Sequence, residues 1–232
     1  MYKILILSGA GLSAESGLKT FRDHNGMWEN YDVMEVCSVE GFRKDRNLVN
    51  EFYDKRREDL KRAEPNFAHK KIAELKKKYP NEIAIVTQNV DDLIERSGCS
   101  DVLHLHGTLS DLRCEICGKV WNIGYKSQNG EKCPNCDEVH EIRHNVVMFG
   151  EPAPNYNELQ KIIDQIEMFV VIGSSGEVLP LGAIARNFHN SILNNLYPDE
   201  TLDHNFKRVI HKPATEGILE IEKIVEDFLK IK

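Results

Sequence analysis

Four cysteines are spaced as two C-x2-C pairs with fifteen residues between them: Cys114, Cys117, Cys133 and Cys136. Each pair lets two thiolates converge on one ion, and two such pairs complete a tetrahedral zinc site. Four protein ligands close the coordination sphere, so the ion would stabilise a fold and leave no position for a substrate. The alternative for the same four residues is a pair of disulfides.

The redox compartment decides between zinc and disulfides. The first seven residues hold too short an apolar run for a signal peptide, and no stretch approaches transmembrane length. We therefore expect a cytoplasmic protein with no membrane partner, in which thiols stay reduced and free to bind zinc. Cys37 and Cys99 lie outside the pairs, and we expect both to be buried as small apolar residues.

Length and charge limit the class of protein. A chain of 232 residues can bury a substantial core, as one large domain or as one domain with a smaller insertion. The apolar fraction of 41% and the charged fraction of 29% are ordinary for a soluble globular protein. The net charge of −7 argues against a nucleic-acid partner, because phosphate binding needs a surplus of lysine and arginine.

Apolar runs that alternate with helical patterns indicate the fold. This alternation predicts an α/β protein with a Rossmann-like parallel sheet and helices on both faces. Residues 110–143 contain the cysteine pairs and break the alternation, so a small zinc ribbon is predicted there. The predicted strands are 4–7, 83–86, 146–149 and 168–172, with weaker candidates at 102–105, 192–193 and 208–210, and the predicted helices are about 39–62, 66–79, 91–97, 157–166 and 214–230.

A glycine-rich segment follows the first predicted strand. Gly9, Gly11 and Ala14 fit the pattern G-x-G-x-x-G/A, in which glycines allow a tight turn and the close approach of a pyrophosphate. Ordinary dinucleotide-binding domains carry an acidic residue about 20 positions later, and this chain has no clear counterpart. The motif predicts a dinucleotide that is held differently from one in a dehydrogenase, and a plain glycine turn is the alternative.

Polar side chains follow the second predicted strand. Gln88, Asn89 and Asp91 come at its carboxyl end, where parallel sheets bind ligands. Such amides and a carboxylate suit ribose hydroxyls and a carboxamide, although Asp91 could equally cap a short helix. His104 and His106 alternate on the next short strand and could both point to one face. An imidazole that titrates near neutral pH suits a general base.

Together these segments resemble, in order and spacing, the sirtuin family of NAD-dependent protein deacylases over nearly the whole chain. The resemblance implies the sirtuin fold, NAD as a co-substrate and acyl-lysine side chains of proteins as substrates. The matching segments are residues 9–17, 20–22 and 28 for the NAD-binding loop, 87–91 for the second signature, 105–107 for the catalytic histidine, 146–151 for the substrate-facing strand, and 173–175 and 195–197 for later NAD contacts.

The implied reaction consumes NAD. The acyl oxygen of the modified lysine attacks the nicotinamide ribose, nicotinamide leaves, and a histidine deprotonates a ribose hydroxyl before water releases lysine and O-acyl-ADP-ribose. The family places this base directly before a glycine, which selects His106 and leaves His104 as a surface or packing residue. The implied NAD contacts are Gly9, Ala10, Gly11, Ser13, Glu15, Phe21, Arg22, Trp28, Gln88, Asn89, Val90, Asp91, Gly173, Ser174, Ser175, Asn195, Leu196, Tyr197 and Ala214. Asn195 is preferred to Asn194 because of its register with Pro198.

A Tyr-x-x-Arg spacing bears on the acyl group. Tyr53 and Arg56 lie at i and i+3 of a predicted helix, so they can share a face. The pair resembles the acyl-pocket motif of the sirtuins that remove succinyl and malonyl groups. In such a pocket a guanidinium pairs with a carboxylate and a phenol adds a hydrogen bond. The alternative is an exposed helix face.

The sequence thus predicts a monomeric NAD-dependent desuccinylase or demalonylase with one structural zinc ion, and leaves deacetylation open as a further activity. Its Rossmann-like domain would comprise about 1–30, 67–109 and 144–232, and a smaller domain would join helical residues 31–66 to the zinc ribbon, 110–143. NAD and acyl-lysine would meet between the two. The rivals are an NAD-glycohydrolase or ADP-ribosyltransferase on the same fold, and a non-catalytic zinc-ribbon binding module. The acyl-pocket pair argues against the first rival, and the complete set of polar residues around His106 argues against the second.

Overall fold

A computed structural model describes residues 2–19, 27–28 and 31–230. Phe21, Arg22 and the side chain of Trp28, all expected to bind NAD, lie outside the described residues. The strands are β1 Ile4–Ser8, β2 Met27–Trp28, β3 Tyr31–Asp32, β4 Ile83–Thr87, β5 Val102–His104, β6 Gly107–Cys114, β7 Val120–Asn122, β8 Ile142–Val146, β9 Met168–Ile172, β10 Asn190–Asn195 and β11 Arg208–His211. The α-helices are α1 Val33–Cys37, α2 Val39–Lys44, α3 Arg46–Arg62, α4 Phe67–Lys78, α5 Leu93–Arg96, α6 Tyr156–Ile163, α7 Leu181–Ala185, α8 Glu200–Asp203 and α9 Ala214–Lys230.

Six strands form one parallel sheet in the order β11-β10-β9-β1-β4-β5. Every residue of β1, β4 and β9 is buried, as expected for parallel strands that helices cover on both faces. The register places Ser8 beside Thr87 on one side and beside Ile172 on the other, so these three strands end level with one another. The expected Rossmann-like parallel sheet is confirmed.

Alternate residues of the central strands enter two hydrophobic layers. Ile4 and Ile6 pack in a cluster that includes residues of α4 and α9. Leu5 and Leu7 pack in a second cluster, to which α6, α7 and α8 contribute. Because successive side chains of a strand point to opposite faces, a sheet between two helical layers needs apolar residues at every position. The run Ile-Leu-Ile-Leu in β1 meets that requirement.

A separate antiparallel sheet has the order β7-β6-β8. The prediction of a parallel strand at 146–149 is wrong, because β8 ends at Val146 and pairs with β6 in the antiparallel direction. The rest of the run is held by isolated backbone contacts. The Val147 N–H donates to the His106 carbonyl at 2.9 Å, and Phe149 forms one parallel bridge with Ser38, in which its N–H donates to the Cys37 carbonyl at 2.8 Å. A short apolar run has the same sequence pattern in either setting.

This small sheet is longer than the cysteine spacing predicts. It begins at Gly107 and ends at Val146, so the predicted domain boundaries at 109 and 144 fall inside β6 and β8. The strand β6 shows no clean apolar alternation because its pairing with β8 is irregular between Gly107 and Leu112. Such an irregularity shifts which side chains face the core, and it hides the strand from a period-two pattern.

Capping side chains set where the helices begin. The pattern predicted at 39–62 is divided at Asp45, whose carboxylate accepts from the Leu48 N–H at 2.9 Å and starts α3. At the start of α4, Asn66 and His69 form a capping box. None of the helices in the described ranges combines the length and the apolar character that a bilayer span requires.

Candidate active site

Two loops meet at the carboxyl edge of the large sheet, where β1 and β9 end. The residues after β1 form two short 3-10 turns, Ala10–Leu12 and Ala14–Ser16. The Gly11 N–H donates to the Gly173 carbonyl at 2.9 Å, and a Cβ on Gly11 would lie 2.7 Å from the Cα of Gly173. Glycine is therefore needed here for the two loops to pack. The strand order changes direction at this point, where sheets of this kind bind nucleotides.

A cavity of about 260 Å³ opens beside these loops. Its walls come from the loop after β1, from α3, from the loop after β4 and from residues 146–151. The volume is close to the lower end of the range for small-molecule sites, about 300 Å³. The cavity brings together the predicted base His106, the predicted acyl-binding residues Tyr53 and Arg56, and six predicted NAD contacts: Ala10, Ser13, Gln88, Asn89, Val90 and Asp91.

Ser13 holds the Asp91 carboxylate in place. Its hydroxyl donates to Asp91 Oδ2 at 2.8 Å and lies 3.2 Å from both His69 Nε2 and Asn89 Nδ2. The other ring nitrogen, His69 Nδ1, accepts from the Asn66 N–H, so Nε2 carries the proton and donates to Ser13. Burial raises the pKa of Asp91, and the Ser13 hydrogen bond opposes that rise. The network fixes a carboxyl group at the cavity wall, where it can accept from a ribose hydroxyl.

Asp91 and Gln88 also link the loop after β4 to its neighbours. Asp91 Oδ1 accepts from the Leu93 N–H at 3.2 Å, so this side chain reaches the start of α5 while it lines the cavity. The contact with the start of α5 therefore does not remove Asp91 from the cavity, and its role as an NAD contact stays a prediction. Gln88 Nε2 donates to Ser174 Oγ at 2.8 Å and so connects the cavity to the loop after β9.

His106 presents one nitrogen as a base. Its Nδ1 lies 3.0 Å from the Gln88 carbonyl, which can only accept, so Nδ1 carries the proton in the neutral ring. The lone pair is then on Nε2, which lies 3.1 Å from the Tyr156 hydroxyl. Burial lowers the pKa of His106, and the hydrogen bond to Gln88 opposes this. The ring is thus neutral and able to take a proton at physiological pH.

His104 has a more specific place than the expected surface or packing role. Its Nδ1 lies 2.9 Å from the Asn89 carbonyl, and its Nε2 lies 2.7 Å from Glu95 Oε1. Burial lowers the pKa of His104, but the Glu95 carboxylate outweighs that effect, and the net pKa is raised. Two acceptors at the two nitrogens favour the imidazolium. His104 and His106 thus bind successive carbonyls of the loop after β4, and only His106 lines the cavity.

Tyr53 and Arg56 lie on the buried face of α3, so the alternative of an exposed helix face is wrong. The exposed fractions of the two residues are 3% and 8%. The Tyr53 phenol lies beside the Cys37 thiol, and burial raises the pKa of that thiol to about 12. Burial and the Cys37 thiol also raise the pKa of Tyr53. A neutral phenol and a buried guanidinium therefore share one cavity wall with apolar neighbours such as Leu60.

The remaining predicted NAD contacts are not among the described residues that line the cavity. Asn195 Nδ2 donates to the Ser174 carbonyl at 3.0 Å, beside the packed loops. Asn194 Nδ2 instead donates to the carbonyls of Ile210 in β11 and of Lys212 just after it, so Asn195 stays the predicted ligand. The Glu15 carboxylate accepts from the N–H and hydroxyl of Thr215 and links the β1 loop to α9. Gly9, Gly11 and Gly173 form the packed loops, Ser175 follows them, Leu196 and Tyr197 are exposed after β10, and Ala214 begins α9.

The four paired cysteines converge in space. Their Sγ atoms all lie within 4.8 Å of one another, with 3.7 Å between Cys114 and Cys136 and 3.5 Å between Cys117 and Cys133. Zinc–sulfur bonds of about 2.3 Å give tetrahedral edges of about 3.8 Å, whereas a disulfide needs about 2.05 Å. The donor set therefore fits one zinc ion. None of the four is among the described residues that line the cavity, in agreement with a structural site.

Among the cavity residues that the sequence does not predict, Tyr156 and Cys37 contact predicted site residues. Tyr156 begins α6 one residue before the predicted helix at 157–166, and the sequence carries no signal that it reaches His106. Cys37 is buried as expected, but its contact with Tyr53 depends on how α1 packs against α3. Both contacts join segments that are far apart in the chain, and no spacing rule covers them.

Comparison with known proteins identifies the family. A sequence profile described as the Sir2 family matches residues 9–180. The chain is 50% identical over 230 residues to a Campylobacter jejuni protein named NAD-dependent protein deacylase, with 99% of this chain and 98% of that protein covered. A Helicobacter hepaticus protein of the same name is 41% identical, with coverage of 98% and 99%. A solved mutant Sir2 homologue in complex with ADP ribose has a TM-score of 0.86 at 32% identity, with coverage of 99% and 94%. The predicted resemblance is confirmed, and the chain belongs to the Sir2 family.

Proposed function

We propose that this protein removes acidic acyl groups, succinyl and malonyl, from lysine side chains of proteins, with NAD as the co-substrate. It is an NAD-dependent enzyme of the sirtuin type, and its near-full-length relatives are named NAD-dependent protein deacylases. One observation carries the acyl preference: Tyr53 and Arg56 line the same cavity as His106.

The polar residues at the sheet edge suit NAD. Gln88, Asn89 and Asn195 offer amide donors and acceptors, and Asp91 offers a fixed carboxylate, which together match ribose hydroxyls and a carboxamide. NAD supplies the electrophilic ribose carbon that receives the acyl oxygen. The chain supplies orientation, a cavity with many apolar wall residues and a base.

His106 would accept the proton of a ribose hydroxyl on Nε2. The resulting imidazolium would keep its Nδ1–H bonded to the Gln88 carbonyl, so the ring need not reorient during transfer. Tyr156 lies beside the same Nε2 and would have to yield this position to the sugar hydroxyl. A positioned base of this kind contributes about 10²–10⁴-fold in rate.

The acyl group would extend toward α3. Apolar residues such as Leu60, Leu109 and Val146 line the cavity and suit a lysine stem and a short acyl chain. At the same wall, the Arg56 guanidinium would pair with a terminal carboxylate, and the Tyr53 phenol would donate a second hydrogen bond. An acetyl group offers neither interaction, which is the physical basis of the proposed preference.

The test compares succinyl-lysine and acetyl-lysine peptides of identical sequence. Loss of one partner of a buried charged pair costs about 2–5 kcal/mol, or roughly 30-fold to several-thousand-fold in kcat/KM. Arg56→Met should lower kcat/KM for the succinyl peptide by a factor in that range and leave the acetyl peptide little changed or faster. Tyr53→Phe should show the same bias to a smaller degree, because it loses one hydrogen bond and no charge.

Lys61→Met is the matched control, since it removes one positive charge from an exposed position of the same helix. It should leave the succinyl-to-acetyl ratio unchanged. If Arg56→Met slows both substrates equally, the residue supports the fold or the NAD site, and the acyl preference is wrong.

Further features of the proposal concern the whole molecule. We propose a cytoplasmic monomer that binds no nucleic acid, which the net charge of −7 and a metal site built from reduced thiols support. We also propose that NAD and acyl-lysine meet between a Rossmann-like part and a smaller part. The smaller part joins α1–α3 to the sheet β7-β6-β8, and the cavity is lined from both parts.

A further inference from the structure

A turn at residues 148–151 forms one wall of the cavity. The Glu151 N–H donates to the Met148 carbonyl at 3.0 Å, and Gly150 has a φ of 93°, which suits the third position of a tight turn. Glu151 Oε2 accepts from the Met148 N–H at 2.9 Å and closes the turn from its other end. Phe149 at the tip is 41% exposed. The turn is therefore a cavity wall with an exposed aromatic side chain at the mouth.

Arg143 connects this turn to the zinc ribbon. Its guanidinium donates to Glu151 Oε1, to the Val146 carbonyl at 3.0 Å, and to Glu115 Oε1 at 3.2 Å. Its side chain is 1% exposed, so these contacts have little competition from water. Glu115 directly follows Cys114, the first of the four converging cysteines. The guanidinium thus bridges a residue fixed by the metal site and the turn at the cavity.

Neighbouring groups stabilise the charged form of Glu151. Burial raises the pKa of Glu151, but the Met148 N–H and the Arg143 guanidinium outweigh it, and the net pKa is lowered. Arg113 also lies 3.4 Å from Glu151 Oε1. On the other side, Glu115 Oε2 pairs with Arg46 at 3.0 Å. Burial strengthens such charge-assisted hydrogen bonds, so a change at Glu115 alters the interactions that hold Glu151.

We propose that Arg143 is a positioning residue through which the zinc ribbon sets the shape of the turn at 148–151 and, with it, the affinity for the acyl-lysine peptide. The inference rests on the proposed function, because it assumes that the cavity receives acyl-lysine. The packed loops at Gly11 and Gly173 make no contact in this chain of interactions, so nucleotide affinity should be independent of it. The zinc ribbon would then affect the binding of the acyl-lysine peptide and not the binding of the nucleotide.

Glu115→Gln is the variant that tests this, because it weakens the outer link and leaves Arg143, Glu151 and all four cysteines in place. We expect the Kd of a succinyl-lysine peptide to rise by about threefold to tenfold, the scale of weakening the partly exposed charged contact between Glu115 and Arg143. The Kd of ADP-ribose should stay the same. Hydrogen exchange of the Met148 amide should become faster by a similar factor, as the turn opens more often.

Glu141→Gln is the matched control. Glu141 lies on the same ribbon as Glu115, bears the same charge and also pairs with Arg46, at 2.7 Å, whereas the Arg143 guanidinium bonds to Glu115 and Glu151. It should leave the peptide Kd and the Met148 exchange rate unchanged. Arg143→Met removes the guanidinium and should also weaken peptide binding. Arg143→Lys keeps the charge without the planar fork, so its peptide affinity should lie between those of Arg143→Met and the wild type.

The outcomes separate this inference from the proposed function. If the wild-type protein removes acyl groups and Glu115→Gln changes neither the peptide Kd nor the exchange of Met148, the coupling is wrong and the function stands. If Glu115→Gln and Glu141→Gln weaken peptide and ADP-ribose binding equally, the network only stabilises the fold, and the inference is also wrong. Failure of the wild-type protein to remove any acyl group would contradict the proposed function itself.

Discussion

Acid should destabilise this protein through one buried histidine. His69 is fully buried, its Nδ1 accepts from the Asn66 N–H, and its Nε2–H donates to Ser13. A second proton would have to enter at Nδ1, where it would face the Asn66 N–H. Burial lowers the pKa of His69 from 6.5 to about 4, so the folded state strongly prefers the neutral ring.

The magnitude follows from the shift in pKa. Between pH 6.5 and 4 the unfolded chain binds a proton at this position that the folded protein excludes, so folding stability falls as the pH falls. The contribution is fully present above pH 6.5, is reduced by about 2 kcal/mol at pH 5, and would be reduced by about 3 kcal/mol near pH 4. Such losses are large beside a typical stability of about 5–15 kcal/mol.

Urea unfolding followed by circular dichroism measures the effect. His69→Gln removes the titration but keeps a side chain that can donate and accept, so the difference in unfolding free energy between wild type and variant isolates this residue. That difference should shrink by about 2 kcal/mol between pH 7.5 and pH 5. Loss of zinc in acid affects both proteins alike and cancels in the difference. A difference that stays constant with pH would refute the reasoning.

Two further predictions concern the base and the metal. His106→Ala should lower the deacylation rate by about 10²–10⁴-fold. His104→Gln should cost far less, because His104 contacts Asn89 and Glu95 and does not line the cavity. An active His106→Ala protein and an inactive His104→Gln protein would reverse the assignment. Cys117→Ala should yield zinc-poor protein with a lower Tm, because the binding energy of such a site is folding energy. A stable, zinc-loaded Cys117→Ala protein with selectively abolished chemistry would contradict the structural role.

Parts of the fold with a strong local signal could be predicted from the sequence. β1, β4 and β9 are continuous apolar runs because helices cover both faces, and the capping box at Asn66 marks the start of α4. The metal site could be predicted because each C-x2-C pair brings two thiolates together locally, and the four Sγ atoms do converge. In each case the residues that make the structure are neighbours in the chain.

Features that depend on packing between distant segments could not be predicted. The apolar run that ends at Phe149 is held by backbone hydrogen bonds to His106 and to the segment at Cys37, which no periodicity reveals. The contact of Tyr156 with His106 depends on where α6 begins relative to β5. Likewise, nothing in the local sequence of Arg143 shows that it bridges Glu115 and Glu151.

The most direct test of the central claim is to incubate the purified protein with NAD and a succinyl-lysine peptide and to measure the masses of all products. The account predicts equal amounts of unmodified peptide, nicotinamide and O-succinyl-ADP-ribose, and no loss of the succinyl group when NAD is omitted. A product mixture of nicotinamide and free ADP-ribose with the succinyl group still on the peptide would identify an NAD-glycohydrolase instead. A peptide that gains the mass of ADP-ribose would identify a transferase. Either result would contradict the claim that this Sir2 family member is a lysine deacylase.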